Sequence, residues 1–162
     1  MDQRQKKTQL IGFGLWLLVT FIAAAIGSIA SITAASFYGS LVQPDWAPPA
    51  GVFGPVWTAL FAMMGVAAWL AWRKAGFGLG LNLYLVQLGV NALWSWLFFG
   101  WHLGGWALLD LLALWALIVA TLIAFWRVSP FAGALLLPYL AWVTFAGFLN
   151  YTVWQLNPQV LG

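Results

Sequence analysis

The sequence has no cysteine, no glutamate and one histidine, and its 162 residues include only six Lys or Arg and three Asp. Without cysteine there are no disulfides, no thiolate nucleophile and no cysteine metal site. The acids Asp2, Asp45 and Asp110 are far apart in sequence, so no carboxylate pair, hydrolytic triad or metal-ligand cluster is available. His102 stands alone in a glycine-rich connection and reads as an interfacial loop residue rather than a haem ligand. The six cations are spread along the chain and leave no nucleic-acid footprint. What is abundant is apolar: 64% of the residues are hydrophobic and the mean hydropathy is +0.94. A soluble domain needs far more polar surface, so the solvent for this chain is lipid.

A helix needs roughly 20 apolar residues to cross the hydrocarbon layer. Five such runs are present, at about Leu10–Phe37, Val52–Trp72, Leu81–Phe99, Trp106–Trp126 and Phe131–Leu156. They make one all-α, five-transmembrane-helix bundle over residues 1–162. Pro44, Pro48 and Pro49 mark a loop after the first run. Pro55 falls in the first turn of the second span, where proline is tolerated. Glycines 76, 78 and 80 and then 100, 104 and 105 make the next two connections. Pro138 lies inside the fifth run and predicts a kink there. Arg4, Lys6 and Lys7 before an apolar run, with Ala23-Ala24-Ala25 downstream, have the outline of a signal peptide, but the run is longer than the usual apolar region of one.

With five spans, Arg4, Lys6, Lys7, Arg73, Lys74 and Arg127 all fall on one side of the membrane. Four or six spans would scatter them. The positive-inside rule then places the N-terminus in the cytoplasm and the C-terminus outside.

Thirteen tryptophans stand out. Trp16, Trp69, Trp72, Trp101, Trp106, Trp126 and Trp154 lie near span ends, where an interfacial belt explains them. Trp57, Trp94, Trp115 and Trp142 lie deeper, where packing or a ligand surface would both suit an indole. In the third span Gln87, Asn91 and Ser95 recur every fourth residue and share a helical face. Membrane-buried amides need partners, so this stripe is either polar glue between helices or the polar patch of a cavity. Tyr139, Trp142, Ala146 and Asn150 form a matching face in the fifth span. These groups, with Trp57 and Asp110, are candidates to surround one cavity beneath the loop from Tyr38 to Gly51. Asp110 is the one ionisable residue inside a span, and the reading preferred for it is structural, as a helix cap or the partner of an interior amide.

Three ordered motifs carry a family resemblance. They are Trp46-Ala47-Pro48-Pro49 with Phe53 and Val56-Trp57-Thr58; Gln87-Leu88 with Asn91, Trp94-Ser95 and Phe98-Phe99; and Pro138-Tyr139-Leu140-Ala141-Trp142 with Phe145-Ala146 and Leu149-Asn150-Tyr151. On these the chain resembles the TspO/MBR family of tryptophan-rich sensory and translocator proteins (the peripheral-type benzodiazepine receptor). The resemblance implies a five-helix bundle, commonly a homodimer, that binds porphyrins such as protoporphyrin IX and haem, and benzodiazepine-type or isoquinoline carboxamide ligands. It implies a pocket under the first loop lined by Tyr38, Pro48, Trp57, Phe61, Asn91, Trp94, Trp142 and Ala146, with Ser28 from the first helix. Trp57 and Trp142 match the pair tied to light-dependent porphyrin degradation in some bacterial members. Phe37-Tyr38 stands where relatives often carry Trp-Tyr. The segment from Leu149 to Gln155 lacks the basic residue that sterol recognition in animal members calls for. The basic tail and short C-terminus suit a bacterial membrane.

Three functions follow as expectations. The first is tetrapyrrole binding, transport or sensing, with porphyrin or haem as ligand and no cofactor required. The second is light- and oxygen-dependent porphyrin degradation through Trp57 and Trp142, the one enzymatic route these residues leave open. The third is a structural membrane interaction protein with no ligand cavity.

Overall fold

The structure, a computed structural model, describes residues 3–162 and contains eight α-helices among them: α1 (Gln3–Ala30), α2 (Ala34–Ser40), α3 (Phe53–Ala75), α4 (Leu79–Ser95), α5 (Gly104–Val128), α6 (Pro130–Ala134), α7 (Leu137–Leu156) and α8 (Pro158–Leu161). A single 3-10 turn at Ala50–Val52 leads into α3, and α4 runs on into a π-helical turn at Trp96–Gly100. Five stretches are long and apolar enough to cross a membrane: Gln3–Ala30, Ala50–Ala75, Leu79–Gly100, Gly104–Val128 and Pro130–Leu156. The five expected spans are therefore present.

Two boundaries differ from the sequence reading, each for a local reason. The first span begins at Gln3 and ends at Ala30, seven residues earlier at each end than expected. Its polar start is helical through Gln3, Arg4, Gln5, Lys6 and Lys7, straight-chain residues that lose little rotamer freedom in a helix. At its end Ser28 and Ser31 bond back to Ala24 and Gly27, and the chain turns through residues 31–33 before α2. Such back-bonding competes with helix propagation. In the fifth span Pro138 does more than kink. Its ring excludes the carbonyl of residue 134, and the helix stops at Ala134 and restarts at Leu137 with Pro138 in its first turn.

The helices close into a ring. α1 packs between α3 and α4, α5 packs against α4, α6 and α7, and α3 meets α6 and α7. The basic residues of the α1 start, the α3 end and the α5 end gather at one end of this ring, called here the basic end. The α2–α3 loop, His102 and α8 occupy the other, the loop end.

At the basic end the core is solid. Met64, Ala67, Ala68, Tyr84, Ile118 and Phe125 are all buried. Gly65 permits a close approach of α1 to α3: a Cβ there would lie 2.7 Å from Leu17 Cδ2 and 3.3 Å from Leu17 Cα. Small residues are how helices meet in lipid, where no hydrophobic force pulls them together. The α3 terminus is closed by Gly76 at φ 69°, a conformation that suits glycine, with its N–H on the Trp72 carbonyl.

Candidate functional site

The loop end encloses a cavity of about 560 Å3, within the roughly 300–1,000 Å3 usual for small-molecule pockets. Four helices supply its walls. α1 contributes Phe21, Ala24 and Ser28 on one face, α3 contributes Phe53, Trp57 and Phe61, α4 contributes Asn91, Trp94 and Ser95, and α7 contributes Trp142, Ala146 and Asn150. Tyr38 of α2 lies at the roof. Phe98 and Phe99 of the π-helical turn add two more rings. Such wide turns recur at functional sites.

Eight of the nine residues expected at a pocket line this single hollow: Ser28, Tyr38, Trp57, Phe61, Asn91, Trp94, Trp142 and Ala146. Pro48 does not line it. It acts through the roof instead, its carbonyl accepting the Tyr38 hydroxyl at 3.1 Å. Burial raises the Tyr38 phenol above its ordinary pKa, so the group stays a donor. The roof is fastened again where Gln43 Nε2 donates to the Tyr38 carbonyl (2.6 Å) and where Trp46 packs edge-on against Phe145 (5.9 Å). A third fastening joins the loop to the chain's last turns. Val42 N donates to Asn157 Oδ1 and Asn157 Nδ2 donates to Val42 O, both at 2.8 Å.

The amide stripe serves both of the uses left open for it. Asn91 Nδ2 donates to the Tyr139 hydroxyl (2.8 Å), which donates to Gln87 Oε1 (2.6 Å), so one fully buried phenol ties α4 to α7. Gln87 is glue alone, and Tyr139 sits behind the cavity wall rather than on it. Asn91 both binds Tyr139 and lines the hollow, and its Oδ1 has no partner among the described residues. Ser95 lines the cavity beside Gly27, whose added Cβ would stand 3.2 Å from Ser95 Oγ.

The indoles divide by what their N–H groups do. Trp94 Nε1 donates to Asn150 Oδ1 (3.0 Å), and Asn150 Nδ2 donates to the Gly104 carbonyl (3.0 Å). Trp115 is 42% exposed on the outside of the bundle and donates to Thr144 (2.9 Å), so it belongs to no cavity. Trp57 and Trp142 both line the cavity, and neither donates to any group among the described residues. Their rings are held by neighbours, Trp57 against Phe61 (5.9 Å) and Tyr139 (6.3 Å), Trp142 against Phe53 (6.0 Å) and Phe145 (5.4 Å).

Asp110 departs from both expectations for it. It does not line the cavity, and it neither caps a helix nor pairs with an amide: its Oδ2 is buried without a partner. On α5 it sits beside Leu111, and α5 contributes nothing to the cavity wall. His102 lies in the α4–α5 connection as expected, exposed, with φ 57° and its ring stacked on Phe37 at 4.0 Å. Among the described residues no cluster of His, Cys, Asp or Glu could hold a metal.

Sequence reasoning overlooked the α1 wall except for Ser28. The signal was present: Phe21, Ala24 and Ser28 follow helical spacing, with small residues where a hollow needs room. Phe53 and Thr58 enter the sequence reading only as parts of a motif, while Asn150 belongs to the face expected at the cavity; all three line it.

Five membrane-crossing helices around a roofed aromatic hollow define a multi-pass membrane protein built to enclose an apolar guest-sized volume. Residues 15–155 match the TspO/MBR family model. The chain is 42% identical over 159 residues to the tryptophan-rich protein TspO of Chlorobaculum tepidum, covering 96% of this chain and 99% of that one. It is 44% identical over 126 residues to the translocator protein of Bos taurus, covering 75% of each, and 39% identical over 150 residues to protein CrtK of Rhodobacter capsulatus, covering 90% and 92%. The chain belongs to the TspO/MBR family.

Proposed function

We propose that this protein binds a tetrapyrrole of the protoporphyrin IX or haem type in the loop-end cavity, as a carrier or sensor within the membrane. The observation that carries the reading is the pair of half-buried cavity indoles, Trp57 and Trp142, which donate to no group among the described residues. Their N–H groups are not enclosed by protein, and a bound ligand would supply the partner. The indole faces suit the large π-surface of a porphyrin in offset or edge-on contact. Asn91 Oδ1, also without a partner among the described residues, offers an acceptor for a pyrrole N–H of a metal-free porphyrin, and propionates would lie toward the roof, nearest water. The ligand arrives whole and no cofactor is required.

Titration of the purified protein with protoporphyrin IX, followed by tryptophan fluorescence quenching, tests this. Wild type should saturate at one ligand per chain, and the Trp57→Phe/Trp142→Phe variant should bind about tenfold more weakly. Unaltered quenching in the variant would remove these two residues from the site, and binding that never saturates would favour a purely structural role. A second reading is supported by the contact of Trp57 with Tyr139: an oxidised indole next to a phenol can be reduced again, as a light- and oxygen-driven oxidation of bound porphyrin requires. Illumination of the complex in air distinguishes it. A new absorbing product that depends on Trp57 and Trp142 means chemistry, and bleaching equal to that of free porphyrin means binding alone. With the basic end in the cytoplasm, as the positive-inside rule has it, the cavity would open toward the outer leaflet, and a homodimer is the assembly the family resemblance supports.

A further inference from the structure

A second hollow, of about 540 Å3, lies at the basic end in the cleft between α1 and α3. It is lined by Lys6, Gln9, Leu10 and Phe13 from one face of α1 and by Trp69 and Arg73, one turn apart on α3. The arrangement is graded. The two cations stand toward the chain ends of their helices, and apolar side chains follow toward the membrane interior. Trp69 is the fixed floor. Its Nε1 donates to the Gln9 carbonyl (3.1 Å), Phe13 meets it edge-on (5.1 Å, 73°), and the Arg73 guanidinium carbon lies 4.8 Å from its ring centroid. Leu10 is 72% exposed beside it, a bed for an acyl chain rather than a core residue.

Three binding capacities here are unused by the protein. Among the described residues neither Lys6 nor Arg73 is paired with a carboxylate, so two positive charges are available to one anion. Gln9 Oε1 is buried and accepts no hydrogen bond, which is costly for an amide oxygen unless a donor arrives from outside. The charges sit at the membrane surface, where basic residues attract anionic headgroups. We propose that this cleft is a site for one anionic phospholipid with a hydroxylated headgroup, of the phosphatidylglycerol type. Its phosphate lies between Lys6 and Arg73, a headgroup hydroxyl donates to Gln9, and one acyl chain follows Leu10, Phe13 and Trp69. The site is separate from the loop-end cavity and does not depend on what that cavity holds.

The test is lipid competition on the full-length protein in nanodiscs of phosphatidylglycerol and phosphatidylcholine, with retained lipid counted by native mass spectrometry. Wild type should retain one phosphatidylglycerol per chain in preference to phosphatidylcholine. Lys6→Gln with Arg73→Gln should reduce that preference about 30-fold, about fivefold for each surface cation. Arg127→Gln, at the same end but outside the cleft, should change it less than about twofold. Arg73→Lys keeps the charge and should keep most of the preference, which separates loss of charge from loss of fold. With phosphatidic acid in place of phosphatidylcholine, wild type should prefer phosphatidylglycerol, whose glycerol hydroxyls reach Gln9, and Gln9→Leu should lose that preference; a variant that keeps it would overturn the hydroxyl assignment. An equal loss with Arg127→Gln would mean diffuse attraction and overturn the site, as would a wild type without preference or a double variant that keeps it. Displacement of the lipid by excess free glycerol phosphate would make this a soluble-phosphate site and overturn the lipid assignment.

Discussion

The two ends of the bundle use the same helices for opposite purposes. At the basic end α1 meets α3 where Gly65 faces Leu17, the Thr20 and Tyr84 hydroxyls are bonded across the α1–α4 seam, and α4 meets α5 through the stacked rings of Tyr84 and Phe125 (5.9 Å). Toward the loop end α1, α3 and α4 stand apart around a hollow faced by Phe53, Trp57 and Phe61 on α3 and by Trp94 on α4. Both ends are apolar, so hydrophobicity does not separate them. Where the small residues point does. Gly65 faces the Leu17 backbone and lets two helices close on one another, while Ala24, Ser28 and Ala146 face the hollow and leave it room. A second contrast runs through the indoles. Trp69, Trp94, Trp96 and Trp115 each donate a hydrogen bond to the protein; among the described residues the other nine indoles do not, and of those nine Trp57 and Trp142 are the two that line the cavity.

The most damaging way to break this contrast is to wedge the closed end open. Gly65→Leu places a branched side chain against the Leu17 backbone and should cost about 3 kcal/mol, read as a fall in the thermal unfolding midpoint in detergent. A smaller loss should follow Tyr139→Phe, which takes one hydroxyl from between Gln87 and Asn91. About 2 kcal/mol is expected, because two buried amides lose their partner at once; a midpoint equal to wild type would show that the phenol is not the tie between α4 and α7. The indole contrast sharpens with two single variants. Trp142→Phe should leave stability within about 0.5 kcal/mol, since no protein hydrogen bond is lost, and weaken protoporphyrin IX binding several-fold. Trp94→Phe should lower stability by about 1 kcal/mol through the loss of its bond to Asn150. Equal behaviour of the two would erase the distinction. The most local change is Asn157→Ala, worth about 1 kcal/mol at the loop, seen as faster hydrogen exchange at the Val42 amide with the protection of the basic-end core unchanged.

Much of this was legible in the sequence because the bilayer imposes strong rules. Long apolar runs had to be helices, and the cations at one end followed from their count and placement. The stripe at Gln87, Asn91 and Ser95 announced that α4 had a polar face, and the motifs around Trp57 and Trp142 pointed to the cavity. What was not legible depends on contacts between helices. Periodicity could not tell that Gln87 would be glue while Asn91 would serve both purposes, since that depends on where the Tyr139 hydroxyl arrives. Nor could it tell that Trp115 faces outward, because a lipid-facing and a core-facing indole read alike in an apolar helix. Asp110 was misjudged for the same reason: a carboxyl inside a span suggests a partner, and whether one is within reach is a matter of packing alone. The break at Leu135–Leu136 was understated because a proline shows where a helix is weakened but not whether its neighbours hold the two pieces in line.

The fastening between Asn157 and Val42 has a consequence for which substitutions this position tolerates. Its reciprocal pair of bonds is that of two opposed backbone residues, copied by a side chain, so the group must give and take a proton bridge in one plane. Aspartate has the same shape but at neutral pH would set a negative oxygen against the Val42 carbonyl, and glutamine would carry the amide one carbon too far. Among the common amino acids only asparagine meets both demands, so the lid of the hollow is chemically committed to a single residue beyond the last crossing.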